Sequence, residues 1–127
     1  MKLMTSEIQA QLIANDLKVI ETGESPDAIV VKYFNPTGAG SWYIVSATPV
    51  DGEGEPCHDD LSKLADWHMF GYCDLSQGPY CAELGYVMLS DIESIKDICM
   101  LPAERDLAFE ATPHSLKKVI ADTEASW

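Results

Sequence analysis

Two runs of strand-forming residues, "AIVVKYF" (28–34) and "SWYIVSATPV" (41–50), flank the turn "NPTGAG". β-Branched and aromatic side chains suit a pleated, half-buried surface, and a proline with two glycines reverses the chain. A linker this short joins antiparallel neighbours, because parallel strands need a crossover of a dozen or more residues. The hairpin is the seed of the fold. Alone it would be marginal in water, so further strands or helices must cover it.

The flanking sequence supplies both. Residues 6–17 read as a helix, with Ser6 and Gln9 as a capping box and Ile8, Leu12, Ile13 and Leu17 on one face. "GESPDA" then breaks the chain. The stretch 51–66, "DGEGEPCHDDLSKLAD", opens as a loop, with Leu61 and Leu64 marking a short helical turn. "HMFGYCDL" (68–75) and "ELGYVML" (83–89) read as two more strands around the turn "SQGPYC". Ser90 with Glu93 forms a second capping box, and Ile92, Ile95 and Cys99 carry a helix to Pro102. "ERDLAFE" (104–110) reads as a fifth strand. A last helix has Thr112 as N-cap, Pro113 in its first turn and Leu116, Val119 and Ile120 facing inward. The expectation is one α+β domain over residues 1–127, a mainly antiparallel sheet of four to five strands packed against helices on one face. A chain of 127 residues is too short for two independent cores.

Charge narrows the function classes. Twenty-one acids against eight bases give a net charge of −13. That sign argues against direct nucleic-acid binding, which rests on Lys and Arg at phosphates, and against anionic membranes. It favours a basic protein partner or plain solubility. The start "MKLMTSEIQAQLI" lacks the apolar run of an export signal, and four cysteines without a C-x-x-C pair read as free thiols, so the expectation is a cytoplasmic protein.

The single arginine, Arg105, lies between Glu104 and Asp106. On a strand over 104–110 it shares a face with Leu107 and Phe109, so its partner must come from elsewhere; Glu83, Asp74 and Asp91 are the candidates. The readings are a structural ion pair, an anion pocket and a solvated side chain.

"FGYCDL", "ELGYVMLSDIESI" and "LPAERDLAF", in this order, resemble a domain-of-unknown-function family of phage, plasmid and integrated-element proteins, over about residues 4–116. Met88, Leu89 and Ser90 stand where that family has a serine-leucine-serine run, and the acidic 51–66 segment is longer than the family's connection. The resemblance implies a mobile-element setting, sometimes beside DNA-processing modules. It carries over no catalytic residues.

Three sites can be weighed from the residues. Cys57, His58, His68, Cys73 and Cys81 are zinc-type ligands within 25 residues, but their spacing matches no zinc pattern, so neither metal nor cofactor is expected. Cys73 with His68 or His114 would be a nucleophile pair, yet acids surround the thiol where a thiolate needs bases. Paired carboxylates such as Glu83 and Asp74 are too common here to mark an active site. The third candidate is the acidic surface, with Asp51, Glu53, Glu55, Asp59, Asp60 and Asp66 as partner-binding residues. Trp42, Tyr43, Trp67, Tyr72 and Tyr80 are its aromatic anchors if exposed. The leading expectation is a non-enzymatic inhibitor that engages a basic, nucleic-acid-handling host protein, of anti-restriction or anti-CRISPR type. The alternatives are a small ligand-binding domain or enzyme with an anion pocket at Arg105, and an accessory domain serving its own element.

Overall fold

In the computed structural model, β-strand β2 (Val31–Phe34) and β3 (Ser41–Val50) form the hairpin that the turn residues dictate, with Tyr33 opposite Trp42 and Val31 opposite Ile44. The structure describes residues 2–36, 40–75, 82–95, 101–110 and 114–125. β4 (Asp66–Asp74) adds to the far side of β3, and β5 (Ala82–Met88) to β4. A two-residue strand, β6 (Glu104–Arg105), closes the near edge beside β2. The result is a five-stranded antiparallel sheet in the order β5-β4-β3-β2-β6.

Helices cover both faces of this sheet, not one. Helix α1 (Ser6–Thr22) and the short α2 (Leu89–Ser94) bury Ile8, Leu12, Leu89 and Ile92 against Tyr33, Trp42, Ile44, Trp67 and Met69. On the opposite face α3 (Leu107–Glu110) and α4 (Leu116–Ala125) bring Phe109, Leu116, Val119 and Ile120 onto Val45, Tyr72, Tyr43 and Phe70. The reason lies in β3, whose run Ile44-Val45-Ser46-Ala47 is buried throughout. A strand apolar on both sides needs cover on both sides.

A β-bulge between Ile44 and Ser46 breaks the β3–β4 register. Gly71 sits opposite, and an added Cβ there would lie 2.0 Å from the Tyr43 carbonyl oxygen. Only glycine tolerates this approach. Beyond the bulge β2 no longer pairs with β3, and the Asn15 amide of α1 donates to the Val45 carbonyl at 2.7 Å. Helix α1 therefore serves as the partner of an otherwise open strand edge.

Several ends differ from the local reading. Thr5, not Ser6, caps α1 through Oγ1 and the Ile8 amide, and the helix runs on to Gly23, whose φ of 76° ends it. Ser90 is not a cap. It donates to Asp66, which also accepts from the Ser90 and Trp67 amides and so anchors α2 to β4. The strand expected over 104–110 is only Glu104–Arg105, because Asp106 accepts from the Phe109 amide and turns the chain into α3. Thr112 and Pro113 lie outside the described residues; α4 begins at Leu116. The acidic stretch contains the expected helical turn, at Leu61–Lys63.

Asp27 holds α4 in place. Between β1 (Ala28–Ile29) and β7 (His114–Ser115), which pair antiparallel, its carboxylate accepts from the Ser115 hydroxyl and from the Lys117 amide at 3.0 Å. The Ser115 bond, then the Lys117 bond, hold the carboxyl below its usual pKa. A lowered folded-state pKa stabilises above the unfolded value, near 3.9, and that support fades as pH falls through the folded value. Hydrogen exchange should show α4 amides losing protection first below about pH 4. In Asp27→Ala they should be weakly protected at neutral pH already, with no further step on acidification; an unchanged profile would rule the clamp out.

Candidate functional site

The acidic loop between β3 and β4 is ordered by its own carboxylates. Asp51 Oδ1 accepts from the Glu53 and Glu55 amides at 2.9 and 3.0 Å, and these bonds lower its pKa. Gly54, at a φ of 81°, completes the turn by donating to the Asp51 carbonyl. A bridge between Val50 and Pro56 closes the base, and Asp60 accepts from the Ser62 amide at the Leu61–Lys63 turn.

The six acids proposed for partner binding thus divide. Asp51, Asp60 and Asp66 bind backbone amides and shape the chain. Glu53, Glu55, Asp59 and Asp60 are exposed, and none forms an ion pair among the described residues. Asp66 is half-buried at the start of β4 and belongs to the scaffold. The potential of the loop registers on buried Cys57, whose thiol pKa is raised by burial first and then by Asp51, Asp60 and Asp59.

His58 ties this loop to the rest of the molecule. Its Nε2 lies 2.6 Å from Asp16 Oδ2 on α1, and both side chains are largely buried. Asp16 is also the start of a groove of about 240 Å3. One wall is the end of α1, with Val19, Gly23 and then Ser25. The other is the sheet face that α3 and α4 cover farther along, with Ser46 and Thr48 from β3, His68 and Phe70 from β4, and Tyr86 from β5. His68 stacks on Tyr86 at 4.5 Å with the rings 8° apart, and Phe70 lies 5.1 Å from the same ring. Tyr86 is 66% exposed. Acidic loop and aromatic groove meet at the His58–Asp16 contact.

The aromatics expected as anchors serve packing instead. Trp42, Trp67 and Tyr72 are buried, Tyr43 is half-buried beside Tyr72 and Phe109, and Tyr80 lies outside the described residues. The exposed aromatic among the described residues is Tyr86, and "ELGYVM" puts it with Leu84 on one face of an edge strand.

The Arg105 constellation does not assemble. Arg105 and Glu83 sit on opposite edge strands, four strand spacings or about 19 Å apart. Asp74 lies across the sheet too, in line with Glu104 through Ser41 and Phe34, and Tyr86 is on the far edge. Asp91 is on α2, which packs over β4 and β5. Arg105 pairs across the sheet with Tyr33 and lines a shallow depression with Thr5, Glu7, Ile8 and Val30. A carboxylate in that lining disfavours an anion. Of the two flanking acids, Asp106 does face a base, Lys32, at 3.5 Å.

The zinc-type ligands are dispersed as well. Among the described residues no three His, Cys, Asp or Glu side chains converge. His68 and Cys73 point to opposite faces of β4, and Cys81 lies outside the described residues. Burial and then Glu83 raise the Cys73 pKa, the reverse of thiolate activation, and His114 stacks on Phe109 on the other side of the sheet. No described helix is long and apolar enough to cross a membrane.

Compared with known proteins, the chain finds no match among curated proteins or solved structures. A family model described as "Protein of unknown function (DUF2958)" matches residues 3–125, which takes in α1, the whole sheet, the acidic loop and the groove. The chain belongs to this family, DUF2958.

Proposed function

We propose that this protein is a non-enzymatic binding protein of a mobile genetic element, acting in the cytoplasm, whose acidic loop engages a basic nucleic-acid-handling host protein. The observation that carries this reading is the loop itself. Glu53, Glu55, Asp59 and Asp60 project from a segment already fixed by Asp51, Asp60 and the His58–Asp16 contact. Charges held in place before binding lose little entropy on docking, and a net −13 steers a cationic partner from a distance. Carboxylates spaced along a rigid loop present such a partner with the charge pattern of a phosphate backbone, so inhibition of restriction or CRISPR machinery is the activity that fits.

The test is capture of partners from bacterial extract at about 50 mM and about 500 mM salt, because phosphate-like contacts weaken steeply between them. Wild-type protein should retain a basic protein at low salt and release it at high salt. The variant Glu53→Gln/Glu55→Gln/Asp59→Asn should lose roughly tenfold or more of that retention. No basic partner at either salt, or equal capture by the variant, would sink the reading.

A further inference from the structure

From the groove beside the acidic loop we infer an arginine pocket: it receives one arginine side chain of the basic partner, with the guanidinium on the Asp16 carboxylate and against the Phe70 and Tyr86 rings. This deepens the reading above and depends on the partner being cationic.

Size comes first. About 240 Å3 is below the usual range for a drug-sized ligand or cofactor and suits a single side chain. Charge comes second. Asp16 is the carboxylate in the lining, and its Oδ2 is engaged by His58 while Oδ1 has no hydrogen bond among the described residues. An ionised carboxylate offers about four acceptor sites, so room remains for a second donor. The base nearest in sequence, Lys18, is two residues along α1 and therefore about 200° around the helix from Asp16. An anionic ligand would meet Asp16 and the field of the acidic loop together.

Shape selects among cations. His68 stacks on one face of Tyr86, the rest of the Tyr86 and Phe70 rings lines the groove, and Ser46 and Thr48 add hydroxyl acceptors on the β3 side. A guanidinium is planar, weakly hydrated and carries five donors, so it can stack on a ring while bonding to carboxylate and hydroxyls. An ammonium is a compact, strongly hydrated charge that must lose its water shell to enter the same space. The pocket is rigid on two sides. α1 is fixed by the Asn15–Val45 bond and ended by Gly23, and the floor is the centre of the sheet. The exposed Tyr86 edge leaves it open to a side chain entering from solvent.

The experiment uses agmatine, which carries the arginine guanidinium on a short alkyl chain, titrated into the full chain and followed by two-dimensional NMR. Cadaverine, with ammonium groups only, is the comparison. Saturable shifts confined to the groove, agmatine at least about fivefold tighter than cadaverine, and about tenfold weaker binding in Tyr86→Ala but not Tyr86→Phe are expected. Tyr86 is mostly exposed, so the variant is expected to stay folded, which its NMR spectrum without ligand checks. The inference is overturned by shifts spread evenly over the acidic surface, by equal affinity for the two amines, by indifference to Tyr86→Ala, or by no saturation up to about 50 mM. Agmatine needs no partner, so its failure with loop-dependent capture intact removes the groove alone. Agmatine binding without capture removes the host-protein reading instead.

Discussion

Gly71→Ala is expected to lower the melting temperature by roughly 15 °C, about 4 kcal/mol at about 4 °C per kcal/mol. The methyl group would fall 2.0 Å from the Tyr43 carbonyl oxygen, 2.8 Å from its carbon and 2.9 Å from Ile44 Cα. All three are backbone atoms, so no rotamer change relieves the clash, and the two central strands must separate at the bulge. A domain's whole stability is about 5–15 kcal/mol, which makes this a large share. The control is Gly85→Ala on neighbouring β5, where nothing lies within 4 Å of the added Cβ. Thermal unfolding followed by circular dichroism separates the two. Similar melting points would mean that the close β3–β4 approach does not limit the fold.

Leu12→Ala is expected to cost about 3 kcal/mol, within the range for a fully buried leucine that leaves a cavity. Leu12 has no exposed surface and packs among Tyr33, Trp42 and Ile44. The loss should reach the site too. Asp16 is one turn along α1 from Leu12, so a loosened helix also loosens the groove wall and the tether of the acidic loop through His58. Agmatine affinity should fall together with stability. Leu17→Ala, at a position 47% exposed, should stay within about 0.5 kcal/mol of wild type. Equal effects from both would show that α1 is not seated by its inner face.

Local pattern was enough for the longer elements, but not for β1, α3 and β7. β-Branched and aromatic runs around Pro36 and Gly40 announce the hairpin, and the apolar spacing of Ile8, Leu12, Ile13 and Leu17 announces α1, although Leu17 turns out to be exposed. The same locality explains the errors. "ERDLAFE" has strand-like alternation, but one hydrogen bond from Asp106 to the Phe109 amide redirects it. The bulge opposite Gly71 was not foreseen, because only the pairing of β3 with β4 gives that glycine its reason. The groove was half legible: the exposed face of β5 can be read from the alternation of Leu84 and Tyr86, whereas Asp16 and His58 are 42 residues apart and carry no local signal of contact.

The sequence by itself determined the net charge, the first helix, the four main strands and the antiparallel hairpin, since each follows from residue type or short-range spacing. Strand order was decided only in three dimensions, and with it the separation of Arg105 from Glu83, the second apolar face and the meeting of acidic loop with aromatic groove. Order in a sheet depends on which pairing buries the most apolar surface and satisfies the most backbone groups together, a sum over the whole chain that no single segment contains.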